Sequence, residues 1–103
     1  MTLHEVLDDA AGLAGDDGPV AVSVDAAGAT TWSSRGTGFA TLDANGSTAA
    51  FRLDAVLAGA ARHTPDAGAS SLGSDWVVFR PAALDGHAVD RATAWFLAAL
   101  RRA

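Results

Sequence analysis

Apolar and polar residues alternate most regularly in residues 38–53, which read GFATLDANGSTAAFRL. This alternation predicts two strands, and the dipeptide Asn45-Gly46 between them tolerates the consecutive positive φ angles of a two-residue type I′ turn. With this dipeptide as the loop, the apolar side chains share one face of the hairpin: Ala40, Leu42, Ala49, Phe51 and Leu53. The polar side chains share the other face: Thr41, Asp43, Thr48 and Arg52. The hairpin therefore offers one face to a core and one to solvent.

Apolar residues recur at helical spacing near the start of the chain. Thr2 and Glu5 form a capping-box pattern ahead of this stripe. The pattern predicts an amphipathic helix over residues 3–14, whose opposite face is acidic. Residues 16–19, with the sequence DDGP, are typical of a turn.

Two further helices are predicted from their caps. Asp54 can cap a short helix over residues 55–63, which Pro65 prevents from continuing. Asp85 can cap the last helix, whose two final arginines suit the negative end of the helix dipole.

The remaining strands are recognised by their apolar residues. Valines alternate in residues 20–24, which predicts a half-buried strand, and residues 29–33 form a weaker strand in which Trp32 sets the buried face. Residues 76–79 are continuously apolar, which predicts a strand inside the sheet and not at its edge. Residues 66–74 show no periodicity and are predicted to form a loop.

Together these elements predict an α+β fold of one domain, residues 1–103. We expect an antiparallel sheet of about five strands, with the N- and C-terminal helices packed on one face and a short helix inserted before the last strand. The other face of the sheet is expected to stay partly open. A chain of 103 residues is long enough to build such a core without disulfides.

The charge balance bears on nucleic-acid binding. Twelve acidic residues face seven basic ones, all of them arginine, which gives a formal charge of −5. An acidic protein must concentrate its few cations on one surface to hold phosphates. Arg35, Arg52 and Arg80 fall on neighbouring predicted strands and could form a local positive patch. Arg52 also lies opposite Phe39 on the polar face of the predicted hairpin, where its guanidinium could stack on the ring.

Other chemistry finds little support in the sequence. The chain has no cysteine, and its three histidines lack the spacing of metal ligands. No nucleophile elbow or phosphate-binding loop is present, so we predict no catalysis, no metal site and no cofactor. No apolar run approaches the roughly 18 residues of a membrane span, and the first residues lack a basic leader, so we expect a cytoplasmic protein without a membrane partner.

Several short motifs, in collinear order over most of the chain, resemble the MmcQ/YjbR family. The motifs are the leading amphipathic helix, RGTGFATL at residues 35–42, FRLD at residues 51–54, DWVVFR at residues 75–80 and the final helix. RGTGFATL is similar to a family segment with glycine, lysine and Phe-Ala, although Thr37 and Gly38 stand here where lysine is common. The chain would be a divergent, acidic member. The resemblance implies a double-wing, frataxin-like (CyaY-like) fold and DNA binding.

Three functions follow as alternatives. The first is the non-catalytic nucleic-acid-binding module that the resemblance implies, with these candidate contacts: Arg35, Thr37, Phe39, Arg52 and Arg80. The second is a protein-interaction or small-ligand module that uses the open face of the sheet and Trp32, with another protein or a second copy as partner. The third, suggested by the frataxin-like fold, is weak binding of ferrous or other divalent ions on the acidic first helix.

The positions of the arginines discriminate between the first two alternatives. Convergence of Arg35, Arg52 and Arg80 on one surface would favour nucleic acid. Acidic side chains lying between them would favour the interaction or small-ligand module.

Overall fold

The computed structural model describes residues 1–14 and 19–103 and has α+β architecture. The predicted turn at residues 16–19 falls almost entirely outside the described residues. In chain order the described elements are α1 (Leu3–Leu13), β1 (Ala21–Val24), β2 (Thr30–Ser34), β3 (Thr37–Leu42), β4 (Ala49–Arg52), α2 (Ala55–Ala61), β5 (Ala67–Ser70), β6 (Gly73–Phe79) and α3 (Gly86–Arg102).

The described strands form one antiparallel sheet in the order β1-β2-β3-β4-β6-β5. The terminal helices α1 and α3 contact each other, and α3 also contacts β3 and β4, so both terminal helices cover the same face. This confirms the predicted fold class, although the sheet has six strands where about five were expected. None of the described helices is both long enough and apolar enough to span a membrane.

The sixth strand, β5, comes from a segment for which the sequence prediction was wrong. Residues 66–74 were predicted to be a loop, but residues Ala67–Ser70 pair with β6, and a short turn separates the two strands. The segment is too rich in Ala, Gly and Ser to show hydrophobic alternation, so its pairing depends on the long neighbouring strand and not on local preference. As predicted, β6 lies inside the sheet, between β4 and β5.

The helices begin where their caps predict. Thr2 and Glu5 form the complete capping box, with the Glu5 N–H donating to Thr2 Oγ1 at 3.1 Å and the Thr2 N–H donating to Glu5 Oε1 at 3.0 Å. Asp54 caps α2 and Asp85 caps α3 through backbone N–H groups of the first turn. All three helix starts are therefore confirmed, and α2 ends two residues earlier than predicted.

The central hairpin has the predicted register but a different turn. Ala40 pairs with Phe51 and Leu42 with Ala49, as the alternation predicted. Among the residues of this turn only Gly46 has a positive φ, +72°, so the predicted type I′ turn at Asn45-Gly46 is wrong. The loop is longer, because the Asp43 carboxylate accepts the N–H groups of Ser47 and Thr48 and closes a wider turn.

The preceding turn has the type I′ character instead. Arg35 and Gly36 both have positive φ, +54° and +79°, and Ser34 pairs with Thr37 on either side of them. A β-bulge follows, because Trp32 pairs with Ala40 whereas Ser33 pairs with Gly38. Glycines at residues 36 and 38 lie beside this bulge, where they tolerate the irregular backbone that a bulge requires.

The bulge decides where Phe39 points. Phe39 is fully buried and packs on Phe96 of α3, with ring centroids 5.1 Å apart. Its predicted place on the polar face of the hairpin, stacked with Arg52, is therefore wrong. An extra residue in a strand shifts the alternation of side chains by one, which sequence periodicity did not anticipate at this point.

The edge strand β1 is more exposed than predicted. All four of its residues are exposed, with Val22 at 53% and Val24 at 65%, so the expected half-buried strand is wrong. Because β1 pairs only with β2, its valines extend past the region that the helices cover. Trp32 on β2, by contrast, is fully buried and marks the core side of the sheet, as predicted.

Aromatic rings from α3 and the sheet fill the core in two groups. In one, Phe96 packs edge-on against Trp32 and Phe39. In the other, Trp95 packs against Phe51 and Phe79. Consecutive residues of α3 therefore hold neighbouring parts of the sheet to the same helix.

Gly59 in the middle of α2 offers a stabilising substitution. Gly59→Ala is expected to raise the free energy of unfolding by about 0.5–1 kcal/mol, because alanine loses less backbone entropy in a helix. A new Cβ would meet its nearest atom at 4.0 Å, so no clash opposes the gain. Urea denaturation measures the change.

Gly46→Ala is the control for this substitution. Gly46 has the positive φ of +72°, so alanine there is expected to lower stability by about 1–2 kcal/mol. A loss of stability in Gly59→Ala would contradict the position of Gly59 inside a helix.

Candidate functional site

The three candidate arginines do not converge. Arg35 is exposed in the β2–β3 turn, at the same end of the sheet as Arg52, the last residue of β4. Arg80 follows β6 at the other end, four residues beyond Trp76, the cross-strand partner of Arg52. At the rise of a β-strand, four residues place Arg80 about 13 Å along β6 from Trp76, the position beside Arg52. The predicted local patch of these three cations is therefore not formed.

A carboxylate lies between two of the cations at the Arg52 end. Asp75 Oδ2 is 3.0 Å from Arg52 Nε and 3.0 Å from Arg102 Nη1, so one anion joins β4, β6 and the last turn of α3. Arg80 Nε donates to Thr48 Oγ1 at 3.0 Å across the hairpin. Arg52 is therefore paired with a carboxylate, and Arg80 uses its Nε group to contact the hairpin.

The two remaining candidate contacts are wholly or partly shielded from solvent. Thr37 is half-buried, where β3 pairs with β2, and Phe39 is inside the core. Of the five residues proposed as nucleic-acid contacts, only Arg35 and Arg80 are exposed.

Three carboxylates have lowered pKa values for clear structural reasons. The pKa of Asp75 is lowered by its hydrogen bonds from Arg102 and Arg52. The pKa of Glu5 is lowered by the backbone and side chain of Thr2. Burial would raise the pKa of Asp43, but hydrogen bonds from the hairpin turn outweigh burial and lower it.

These shifts predict how stability depends on pH. A lowered pKa means that the folded chain binds fewer protons than the unfolded chain at acid pH. The contribution is complete above the ordinary values of 3.8 for Asp and 4.5 for Glu, and is lost as the pH falls through the lower folded values. We therefore expect the free energy of unfolding to drop below about pH 4.5.

Urea denaturation of Asp75→Asn between pH 5 and pH 2 tests this dependence. The variant is expected to be less stable than the parent at pH 5 and to lose less stability on acidification, because its side chain no longer titrates. Asp9→Asn is the control, since the exposed Asp9 has no hydrogen bond or ion pair with a described residue. Parallel profiles for Asp75→Asn and the parent would contradict the role of Asp75.

The central row of the open face of the sheet carries small side chains. This row crosses all six strands on this face: Ser23, Thr31, Thr41, Ala50, Val78 and Gly68. Trp32 was expected to take part in binding a partner together with this face. It is instead buried on the helix side of the sheet, where its ring contacts Phe96. This row therefore presents no apolar residue larger than Val78, whereas Trp76, two residues earlier on β6, is half-buried on the same face.

A cleft of about 470 Å³ lies at one end of the core side. We call it the His4 cleft. Three separate segments line it: residues 2–4 at the start of α1, Gly28 and Thr30 around the β1–β2 turn, and residues 42–46 in the β3–β4 hairpin. Its volume lies within the range of small-molecule sites.

His4 is held in a defined orientation beside this cleft. Its Nδ1 is 3.1 Å from Asp8 Oδ2, one helical turn along α1, and its ring packs at a tilt of 51° against Trp32, with centroids 5.7 Å apart. Because Nδ1 is engaged by the carboxylate, Nε2 is the nitrogen left for another partner.

The two walls of the His4 cleft carry opposite hydrogen-bonding groups. On the α1 wall, the N–H groups of Leu3 and His4 lie in the first helical turn and have no acceptor among the described residues. On the hairpin wall, Asp43 holds its turn through three hydrogen bonds, which leaves lone-pair capacity on its carboxylate. Asn45 adds an exposed amide.

Part of the geometry of the His4 cleft could be predicted from the sequence. The Thr2–Glu5 capping box placed His4 in the first turn of α1, and its spacing of four from Asp8 was visible. The meeting of this turn with Gly28 and with the hairpin depends on packing across the whole chain. No group of three or more His, Asp or Glu residues suited to a metal ion occurs among residues 1–14 and 19–103.

Comparison with known proteins adds no further assignment. No family model, no curated protein and no solved structure matches this chain.

Proposed function

We propose that the protein is a non-catalytic binding module that takes a small zwitterion, a molecule with the carboxylate and ammonium groups of an amino acid, in the His4 cleft. The observation that carries the proposal is the pairing of hydrogen-bond donors on the α1 wall with a carboxylate on the hairpin wall. A ligand with charges of both signs satisfies both walls at once.

The expected contacts follow from the polarity of each wall. The ligand carboxylate binds near the N-terminus of α1, where free N–H groups and the helix dipole favour negative charge. The ligand ammonium binds Asp43, whose carboxylate can accept more bonds than the three that hold its turn. No arginine lines the cleft, so a ligand of high negative charge would lack a compensating cation there.

The nucleic-acid function implied by the MmcQ/YjbR resemblance has weaker support. Arg35 and Arg80 lie at opposite ends of the sheet, and Arg52 is paired with Asp75. Labelled duplex DNA titrated at low and at raised salt measures this function. We expect no binding at either ionic strength, and salt-sensitive binding would restore the DNA-binding proposal.

Titration calorimetry with three matched compounds tests the zwitterion proposal. L-norvaline carries both charges, pentanoate lacks the ammonium group and butylamine lacks the carboxylate, while the apolar body stays nearly constant. We expect norvaline to bind about tenfold more tightly than either analogue, because each analogue loses hydrogen bonds to a charged group. Equal affinities for the three compounds would contradict the proposal.

Two variants locate the binding. His4→Gln and Asn45→Ala change opposite walls of the His4 cleft, and Asn45 lacks the positive φ that would make alanine strained. Each is expected to weaken norvaline binding severalfold. His63→Gln is the matched control for His4→Gln, because the exposed His63 lies just after α2 and outside the cleft lining. Loss of binding in His63→Gln alone would place the site elsewhere.

A further inference from the structure

A second cavity, of about 360 Å³, lies beside the start of α3 and is lined by Thr64, Pro65, His87 and Arg91. It shares no lining residue with the His4 cleft. His87 and Arg91 are four residues apart on α3, so both project from the same face of the helix.

Arg91 is held firmly at this cavity. Its guanidinium lies 4.8 Å from the centre of the Phe79 ring and 5.9 Å from that of Trp95. Its Nη1 donates to the Pro65 carbonyl oxygen and to Thr64 Oγ1. Ring stacking and these bonds fix the plane of the guanidinium before any ligand arrives.

This half-buried cation has no carboxylate partner within 4.0 Å among the described residues. Two carboxylates that lie close to the lining residues in sequence each accept a backbone N–H group. Asp66 accepts the N–H of Ala82 at 3.2 Å, and Asp85 accepts the N–H of Ala88 at 2.9 Å. Asp90, next to Arg91 in sequence, is exposed to solvent. The Nε and Nη2 groups of Arg91 therefore keep donor capacity that the fold does not use.

We propose that this cavity binds the oxyanion of a small organic molecule with an apolar body. Arg91 supplies a planar pair of donors that matches a carboxylate or phosphate oxygen pair, and His87 supplies a further ring nitrogen from the same helix face. Pro65 and the aliphatic stem of Arg91 provide the apolar part of the lining for the rest of the ligand. The site is independent of the proposed zwitterion site.

Titration of ¹⁵N-labelled protein with benzoate, benzamide and inorganic phosphate tests the proposal. Benzamide has the shape of benzoate without its charge, and phosphate has the charge without the apolar body. We expect benzoate to shift the Arg91 Nε–H and His87 backbone N–H signals, and to bind about tenfold more tightly than benzamide. Phosphate is expected to shift the same signals more weakly. If phosphate bound more tightly than benzoate, the apolar part of the proposal would be overturned.

Arg91→Lys tests the planar donor pair, since lysine keeps the charge but not the fork. It is expected to weaken benzoate binding about tenfold. Arg62→Lys is the matched control, because Arg62 also holds a neighbouring segment, through Nη1 to the Ser74 carbonyl oxygen, but lies outside the cavity lining. Equal benzoate affinity in the parent and Arg91→Lys would overturn the proposal. Equal responses of the parent to benzoate and benzamide would overturn it even if Arg91→Lys failed to fold.

Discussion

Phe96→Ala is expected to lower the free energy of unfolding by about 3–5 kcal/mol, the cost of removing a fully buried aromatic ring. Phe96 is completely inaccessible and packs edge-on against Trp32 and Phe39, with centroids 5.9 Å and 5.1 Å apart. Alanine would leave a cavity between α3 and the two strands that carry these rings. Small domains have total stabilities of roughly 5–15 kcal/mol, so this single change removes a large share.

Urea denaturation of the parent and the variant measures this loss. Val56→Ala is the control, because Val56 is 85% exposed on α2 and its truncation removes little buried surface. We expect the control to change stability by less than about 0.5 kcal/mol. A loss below about 1 kcal/mol in Phe96→Ala would contradict the position of Phe96 at the centre of the core.

Leu7→Ala is expected to lower the free energy of unfolding by about 2–5 kcal/mol. Leu7 is fully buried on the inner face of α1, the helix that carries His4. The same substitution at Leu13, also on α1 but 71% exposed, is expected to cost less than about 0.5 kcal/mol. The pair therefore compares one residue type on two sides of one helix.

Thermal and urea unfolding of both leucine variants check this comparison. Similar losses at the two positions would contradict the orientation of α1. Since α1 forms one wall of the His4 cleft, that outcome would also remove the basis for the cleft.

The helices could be predicted because their signals are local. Asp54 and Asp85 lie directly before the first turn that they cap, and the box of Thr2 and Glu5 spans one turn. Such caps require no knowledge of the rest of the fold. The register of the central hairpin was predictable for a similar reason, since only one pairing places its apolar side chains together.

The turns and the bulge could not be predicted with the same rules. Asn45-Gly46 is a better type I′ sequence than Arg35-Gly36, yet the positive φ pair occurs at the arginine. The Asp43 carboxylate stabilises the longer hairpin turn, and the bulge before Ala40 turns Phe39 into the core. A side-chain hydrogen bond and a single extra residue thus overrode local preference.

The candidate sites depended on distant parts of the chain. The sequence placed His4 and the hairpin on separate elements but could not bring them together. Likewise Asp75 lies 23 residues from Arg52 and 27 from Arg102, so the ion pairs that occupy these cations had no local pattern. The patch predicted from neighbouring strands therefore included one arginine, Arg52, that an ion pair holds within the fold.

The most direct test of the proposed function is a ¹⁵N–¹H correlation spectrum of the protein titrated with L-norvaline. We expect concentration-dependent shifts for backbone N–H signals from all three segments of the His4 cleft, including those of His4, Gly28 and Gly46. Shifts confined to the open face of the sheet, around Thr41 and Val78, would contradict this expectation. The absence of any shift at the solubility limit of norvaline would contradict the proposed function equally.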